Sequence, residues 1–156
     1  MHGFIADQVQ MYGSQQPNTK TNGYVDRVNC FVEEYNKYFY TPGNGTVDGA
    51  LTKVNNIADI AGLQLAYNAL IESTKSLEKQ RSLPNLPYSW SQLFFLRFAQ
   101  NFCELEDSIA AEETLYSSYS PSKFRVNGAV SQFRDFSKAF NCPVGSNMRT
   151  TKICDL

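Results

Sequence analysis

The sequence predicts a mainly α-helical fold, built as a single domain over residues 1–156. Apolar residues recur at helical spacing in four separate segments, which favours helices over strands. No stretch shows a convincing alternation of apolar and polar residues, the pattern of a half-buried strand. The 156 residues are enough to bury one core, and 42% hydrophobic with 19% charged residues is typical of a globular protein.

The longest predicted helix contains Leu51–Tyr67 and runs from about Lys53 towards Lys79. Thr52 is its predicted N-cap, because a hydroxyl there can accept a hydrogen bond from an unpaired backbone N–H of the first turn. We expect the rest of the chain to be organised around this helix.

One face of this helix carries Asn55, Asp59 and Gly62, which recur one helical turn apart. The other faces are mostly apolar, so we expect the helix to be buried nearly all round. Those apolar residues are Ile57, Ile60, Ala61, Leu63 and Leu65. A carboxylate and an amide on a buried helix need polar partners. The polar face is therefore where we expect a functional site.

Three further helices are predicted, from Val25 to Tyr40, from Ser89 to about Glu106, and from Asn127 to about Phe140. Ser89 and Gln92 form a capping box at the start of the second of these, whose Phe- and Leu-rich sequence predicts the central core helix. Asn127 is the predicted N-cap of the third. The Pro- and Gly-containing segment 41–49 is predicted to be a loop.

The net charge and the hydropathy of the sequence argue against nucleic-acid binding and against a membrane-spanning segment. The net charge is −1 and there is no basic run, which argues against a nucleic-acid partner. No apolar run approaches the length of a transmembrane helix, and the first residues do not resemble a signal peptide. We therefore expect a soluble domain without a signal peptide or anchor in this chain.

Four cysteines, Cys30, Cys103, Cys142 and Cys154, are widely separated, without a Cys-x-x-Cys pair. This spacing disfavours a zinc ribbon or a thioredoxin-like site and suits long-range disulfides. Buried free thiols in a cytosolic protein are the alternative. The loop also contains the N-glycosylation sequon Asn44-Gly45-Thr46, which is usable only if the chain is secreted.

Five blocks of the chain resemble one protein family. NNIADIAGLQLAY is similar to the Glu-Asn-Ile-Ala-Asp-x-Gly-Gly-Leu-x-x-Ala-Tyr segment of the neprilysin and endothelin-converting-enzyme family of zinc metallopeptidases. His2-Gly3-Phe4 resembles the end of that family's His-Glu-x-x-His helix. The other similar blocks are CFVEEYNKY, LPYSWSQLFFLRFAQNFC and YSPSKFRVNGAVSQFRDFSKAFNCPVGSNM.

The resemblance implies a fold and a compartment. The fold would be the C-terminal helical part of a zincin (thermolysin-like) metallopeptidase catalytic domain, and the compartment would be extracellular or membrane-associated. It also implies a disulfide between Cys30 and Cys154. The family's partners for Cys103 and Cys142 lie in its N-terminal portion, so we expect these two cysteines to be free or mispaired here.

The resemblance places the family's zinc ligands at His2 and Asn55. Asn55 stands where the family has a glutamate ligand, and a neutral amide is a poor zinc ligand. Asp59 keeps the family's aspartate, which orients a zinc-binding histidine from the second shell. The general-base glutamate of the family's motif has no counterpart in this sequence.

The family's other catalytic positions are also changed. Tyr119 stands where the family has a histidine that stabilises the tetrahedral intermediate, and Ser117 replaces the aspartate that supports it. Ile5 and Ala6 occupy the usual place of an acidic pair, unless Asp7 fills one of these positions through an insertion. Arg125 is kept, at a position that contacts the substrate carbonyl in the family. Its alternative interpretation is a buried arginine that bridges Asp59 to a loop.

These substitutions predict a degenerate peptidase domain that needs no cofactor, although the family uses zinc. Asp59 and Tyr119 would be vestigial catalytic positions, Arg125 a substrate-binding one, and the partner a peptide or protein. The alternative is a zinc metalloendopeptidase, completed by further N-terminal sequence or by a partner chain. A gene fragment without a selected role is a third interpretation.

Overall fold

The structure is a computed structural model that describes residues 21–75 and 85–155, and it is mainly helical, which confirms the predicted fold class. In chain order the elements are α1 (Thr21–Tyr35), β1 (Phe39–Tyr40), β2 (Gly45–Thr46), α2 (Gly49–Lys75), α3 (Trp90–Gln100), α4 (Ser108–Thr114), α5 (Ser122–Ser131) and α6 (Arg134–Ala139). From its sequence, segment 1–22 is interpreted as a helix remnant followed by a loop; residues 1–20 lie outside the described residues, whereas Thr21 and Asn22 belong to α1.

Helix α2 is the central element, and it packs against α1 on one side and α5 on another. Helix α3 packs against α5 and α6. An aromatic cluster joins these helices: the Tyr67 ring lies 5.1 Å from Phe95 and 5.3 Å from Phe133, and Phe95 lies 5.2 Å from Phe136, between ring centroids. Such offset and edge contacts add to the free energy of burial. The cluster joins α2, α3 and α6 through Phe133, which lies between α5 and α6.

Helix α2 begins at Gly49, four residues before the predicted start, and the prediction of Thr52 as its N-cap is wrong. Asp48 has this role, because its Oδ1 accepts hydrogen bonds from the backbone N–H groups of Ala50 and Leu51, both at 2.9 Å. Thr52 lies in the first turn and donates its hydroxyl hydrogen to the Asp48 carbonyl oxygen at 2.8 Å. A carboxylate also suits the positive end of the helix dipole.

The prediction that α2 is buried nearly all round is wrong within the described part of the chain. One stripe is buried, made of Thr52, Asn56, Ile60, Leu63 and Tyr67. Leu65, which the sequence placed in the core, is 74% exposed. Helices α1 and α5 pack against α2 but leave the side that carries Leu65 uncovered by described residues.

The predicted helix over residues 25–40 ends early, at Tyr35, and its last residues form a strand. Strands β1 and β2 pair as an antiparallel hairpin, with Phe39 opposite Thr46 and Tyr40 opposite Gly45. Part of the predicted loop is therefore a strand. Two-residue strands are too short to show an alternating pattern, which explains why the sequence did not reveal them.

The capping box of α3 is confirmed: the Gln92 backbone N–H donates to Ser89 Oγ, and the Ser89 N–H donates to Gln92 Oε1. The helix ends at Gln100, however, well before Glu106. It is also not a helix buried on every face, since Phe95 is its one fully buried residue.

The predicted helix from Asn127 to Phe140 is two helices, α5 and α6, with Phe133 between them. Asn127 lies inside α5 and caps nothing, because α5 begins five residues earlier, after Pro121. The sequence analysis also missed α4, whose N-cap is Asp107. Apolar spacing continued across the break at Phe133, and periodicity alone does not reveal such a break.

A disulfide joins Cys30 on α1 to Cys154 near the C-terminus, with 5.7 Å between the two Cα atoms. This is the pairing that the family resemblance implied, and the distance lies within the usual range of about 4.4–6.8 Å. Cys103 and Cys142 are both free, the first exposed and the second partly buried. None of the helices described here is long and apolar enough to span a membrane.

Candidate functional site

The candidate site centres on an ion pair between Asp59 of α2 and Arg125 of α5. Arg125 Nε donates to Asp59 Oδ2 and Nη2 donates to Oδ1, each at 2.7 Å, so the pair is bidentate. The side chains are only 13% exposed for Asp59 and 24% for Arg125. The hydrogen bonds that Arg125 donates to Asp59 raise the pKa of Arg125, which keeps the guanidinium charged. The two residues therefore hold α2 and α5 together at this point.

Two aromatic rings lie against the guanidinium of Arg125. Its Cζ atom is 4.8 Å from the centroid of Phe102 and 5.1 Å from that of Tyr119. Both are distances at which an arginine gains from the ring quadrupole. Tyr119 comes from the loop before α5 and remains largely exposed, so the Arg125 side chain connects Asp59 to that loop.

Asn55 lies one turn before Asp59 and binds the same loop. Its Nδ2 donates a hydrogen bond to the carbonyl oxygen of Ser118 at 2.8 Å. Ser117 supports the loop from within, since its Oγ accepts a hydrogen bond from the Tyr119 backbone N–H at 3.1 Å. The structure thus places Asn55, Asp59, Tyr119 and Arg125 in one connected cluster.

The sequence analysis missed Asn56, which is only 1% exposed. Its Nδ2 donates to Thr52 Oγ1 at 2.8 Å, and its Oδ1 accepts from the Ser120 hydroxyl at 2.8 Å. A buried amide satisfied at both ends is a strong constraint on the loop that carries Tyr119. The available signal was its spacing, since Asn56 follows Thr52 and precedes Ile60 by four residues each.

Tyr35, one of the apolar residues at helical spacing in the first predicted helix, was not assigned to a site and is completely buried behind it. A Cβ atom at Gly128 of α5 would lie 2.6 Å from the Tyr35 hydroxyl oxygen, so the ring fits only against a glycine. Burial raises the pKa of Tyr35 well above its usual value, and the nearby Tyr38 and Asp59 raise it further. Its buried hydroxyl has no hydrogen-bond partner among the residues that the structure describes. Gly128 therefore lets α5 approach α1 closely, three residues after Arg125.

An open apolar groove of about 540 Å³ runs between α2 and α3 beside the ion pair. Its α2 side combines small residues with Leu63 and Leu70, and its α3 side combines aromatic rings with Leu93 and Arg97. The lining includes Ala58, Asp59, Gly62, Ala66, Trp90 and Phe98. Among the described residues, no atom apart from the backbone of α2 itself lies within 4 Å of where a Cβ at Gly62 would stand, so this face of α2 is open to the rest of the described chain.

The described residues do not fit a zinc site. No group of three His, Cys, Asp or Glu side chains that could hold a metal occurs within residues 21–75 and 85–155. Asn55 supplies a neutral amide, and both carboxylate oxygens of Asp59 are bound by Arg125. His2, Ile5 and Ala6, which the sequence analysis assigned to the family's zinc helix, lie outside the described residues.

Comparison with known proteins places this arrangement in context. The sequence profile described as "Peptidase family M13" matches residues 1–156. The chain is 37% identical over 140 residues to an endothelin-converting enzyme homolog of Locusta migratoria. The aligned region covers 89% of this chain and 19% of that protein. The chain is 36% identical to human endothelin-converting enzyme 1, covering 89% of this chain and 18% of the relative. The chain therefore spans about a fifth of the length of these relatives.

Solved structures agree with the sequence comparison. A zinc metalloprotease of Mycobacterium tuberculosis in complex with an inhibitor superposes with a TM-score of 0.70 and 25% identity, covering 86% of this chain and 22% of that one. A chain from the "Haemonchus galactose containing glycoprotein complex" gives a TM-score of 0.74 and 30% identity, covering 94% and 23%. Both similarities extend over most of the described helices.

Proposed function

Because this chain belongs to peptidase family M13, we propose that it is a peptidase-family domain that binds a peptide segment of a partner without hydrolysing it. The chain covers about a fifth of its relatives' length, so the activity of those longer proteins does not transfer to it directly. The observation that carries the proposal is which atoms the Asn55 and Asp59 side chains bind. Arg125 binds both carboxylate oxygens of Asp59, and Asn55, whose Nδ2 donates to Ser118, leaves only a neutral amide oxygen for a metal.

The absence of hydrolysis follows from the chemistry of the cluster. Water activation by a zinc enzyme needs three protein ligands, an open coordination position and a base. Asn55 offers a neutral carbonyl oxygen, and the sequence contains a single histidine in all. Tyr119 can donate a hydrogen bond to a developing oxyanion, but it carries no positive charge.

Peptide binding is supported by what the cluster leaves available. Arg125 uses Nε and Nη2 to bind Asp59, and within the described chain its Nη1 hydrogens have no acceptor. They can donate to a peptide carbonyl oxygen, as a guanidinium has five N–H donors in a fixed plane. The neighbouring groove between α2 and α3 offers an apolar surface for a side chain of the same peptide.

We also propose that the domain works in an extracellular or other oxidising compartment. The Cys30–Cys154 disulfide supports this, because such bonds persist in oxidising environments and are rare in the cytosol. The partner is thus proposed to be an extracellular peptide or protein.

The test uses the full 156-residue chain. Incubation with a quenched fluorescent peptide library and equimolar zinc, with and without a chelator, is expected to give no chelator-sensitive cleavage. A fluorescein-labelled version of the same library is expected to bind, as read by anisotropy. Binding should weaken at least tenfold for Arg125→Gln and stay unchanged for Lys138→Ala, a charge change at an exposed ion pair.

Two results would contradict the proposal. Zinc-dependent, chelator-sensitive cleavage by the unmodified chain would establish the metalloendopeptidase alternative. Binding that persists in Arg125→Gln, after circular dichroism shows the variant to be folded, would remove Arg125 from the peptide surface.

A further inference from the structure

The tip of the β1–β2 hairpin carries the sequence Asn44-Gly45-Thr46 in an exposed position. Asn44 has a positive φ of 50° and an exposed side chain, and Thr46 on β2 is exposed as well. Asparagine tolerates this backbone region better than most residues. The acceptor amide and the hydroxyl of an N-x-[ST] sequon are therefore both at the surface of the folded domain.

The hairpin presents Asn44 outward because the residues around it pack inward. A Cβ atom at Gly43 would lie 2.5 Å from the carbonyl oxygen of Ala111 on α4, and one at Gly45 would lie 2.6 Å from Leu115 Cδ1. The backbone on both sides of Asn44 thus packs closely against α4 and Leu115. Val47, which follows the sequon, is buried in the core.

The side-chain amide of Asn44 is free to react. Among residues 21–75 and 85–155, Asn44 is hydrogen-bonded through its backbone N–H, to the Thr41 carbonyl oxygen at 3.2 Å, and its side chain has no partner. Attachment of a large group at Nδ2 breaks no described hydrogen bond and displaces no core residue. The folded domain can therefore carry a glycan at this position.

We infer that Asn44 is an N-glycosylation site, used when the chain passes through a secretory pathway. Nδ2 of Asn44 forms a bond to the anomeric carbon of an oligosaccharide and loses one proton to a base. The bond between that carbon and a phosphate oxygen of the lipid-diphosphate donor breaks, and the lipid diphosphate leaves with the electron pair. The co-reactant is a lipid-diphosphate-linked oligosaccharide, and the acceptor chemistry is that of the sequon.

This inference depends on the proposed export, which the Cys30–Cys154 disulfide supports, and not on peptide binding. The two proposals can fail separately. A glycan at Asn44 says nothing about whether Arg125 binds a peptide, and an inactive or non-binding domain can still be glycosylated.

The experiment expresses the full chain behind a cleavable secretion signal in eukaryotic cells and reads its mass in both the cell lysate and the medium. We expect a glycan that peptide-N-glycosidase removes, converting Asn44 to aspartate in the tryptic peptide. Thr46→Ser should keep the glycan, because serine also completes the sequon. Thr46→Ala should lose it while keeping Asn44. Asn44→Gly should lose it without backbone strain, since glycine accepts a positive φ.

Unmodified Asn44 in both lysate and medium would overturn the inference. So would a glycan found only on chains that lack the Cys30–Cys154 disulfide, since this would mean that the native fold does not accommodate it. A glycan that persists in Thr46→Ala would place the modification at another residue.

Discussion

Arg125 on α5 binds both carboxylate oxygens of Asp59 on α2, at 2.7 Å each, across 66 residues of sequence. The same guanidinium lies over Phe102 and Tyr119, so one side chain joins two helices and two loops. Because the pair is largely buried, each charge is stabilised mainly by the other. The Asp59–Arg125 ion pair therefore joins two helices of the fold and lies at the centre of the candidate site.

Arg125→Ala should lower the free energy of unfolding by about 2–4 kcal/mol, since it leaves the Asp59 carboxylate partly buried without its partner. The measurement is urea denaturation followed by circular dichroism. Lys138→Ala is the control, because its ion pair with Asp135 is exposed and should be worth no more than about 0.5 kcal/mol. Equal losses in the two variants would mean that burial of the Asp59–Arg125 pair does not matter.

Two glycines inside helices should respond in opposite ways to alanine. Gly62→Ala should stabilise the chain by about 1 kcal/mol, because no described atom outside the backbone of α2 lies within 4 Å of the new Cβ and alanine favours the helix. Gly128→Ala should destabilise it by about 1–3 kcal/mol, because the new methyl meets the Tyr35 ring and hydroxyl. Thermal and urea unfolding measure both variants. Stabilisation by both would show that α5 can move away from Tyr35 at little cost.

The loss of folding stability at alkaline pH should depend in part on Tyr40. Burial first, and then the hydrogen bond and charge of Glu106, raise the Tyr40 pKa from 10.0 to about 12. The native state thus favours the neutral phenol, so this stabilisation is complete below pH 10 and is lost as the pH rises to about 12. Tyr40→Phe should be less stable at neutral pH and lose less stability over that window.

Urea midpoints across this pH range, measured in a Cys103→Ser and Cys142→Ser background to prevent thiol exchange, test the prediction. The effect should be partial, because the pKa values of Tyr35 and Tyr38 are raised too. A pH dependence identical to that of the parent protein would exclude Tyr40 as a contributor.

Removing the disulfide with Cys30→Ser and Cys154→Ser together should cost about 2–5 kcal/mol, because the bond closes a loop across 124 residues in the unfolded chain. Cys103→Ser is the matched control, since that thiol is free and exposed, and it should change stability by less than about 0.5 kcal/mol. Unfolding with and without a reductant gives an independent reading. If a reductant leaves the free energy of unfolding of the parent protein unchanged, the expectation is contradicted.

Asn55→Glu combined with Tyr119→His should not create a peptidase. The sequence has no His-Glu-x-x-His motif, and Asp59 remains bound to Arg125. Lack of a general base alone costs about 10²–10⁴-fold in rate. Peptide cleavage assayed with added zinc should stay at the level of the unmodified chain. Chelator-sensitive turnover by the variant would show that the remaining residues suffice.

The sequence by itself determined the family, the mainly helical class, the capping box of α3 and the Cys30–Cys154 pairing, the last through resemblance. These depend on local patterns or on ordered blocks of residues, which a single chain displays directly. It also drew attention to Asn55, Asp59, Tyr119 and Arg125, although their functional roles stay predictions.

Only the tertiary structure decided which partners those residues have. Asp48 caps α2 in place of Thr52. The N-cap depends on the residue at which the helix begins, and several polar residues near this point are suitable N-caps. Leu65 is exposed because neither α1 nor α5 covers its side of α2, and periodicity does not say how many neighbours a helix has. Asn56, Tyr35 and Gly128 act through contacts between residues far apart in sequence. Asn56 accepts a hydrogen bond from Ser120 at 2.8 Å, and Gly128 leaves room for the Tyr35 ring, since a Cβ there would lie 2.6 Å from the Tyr35 hydroxyl oxygen. Such contacts arise only when the helices pack, and no local pattern encodes them.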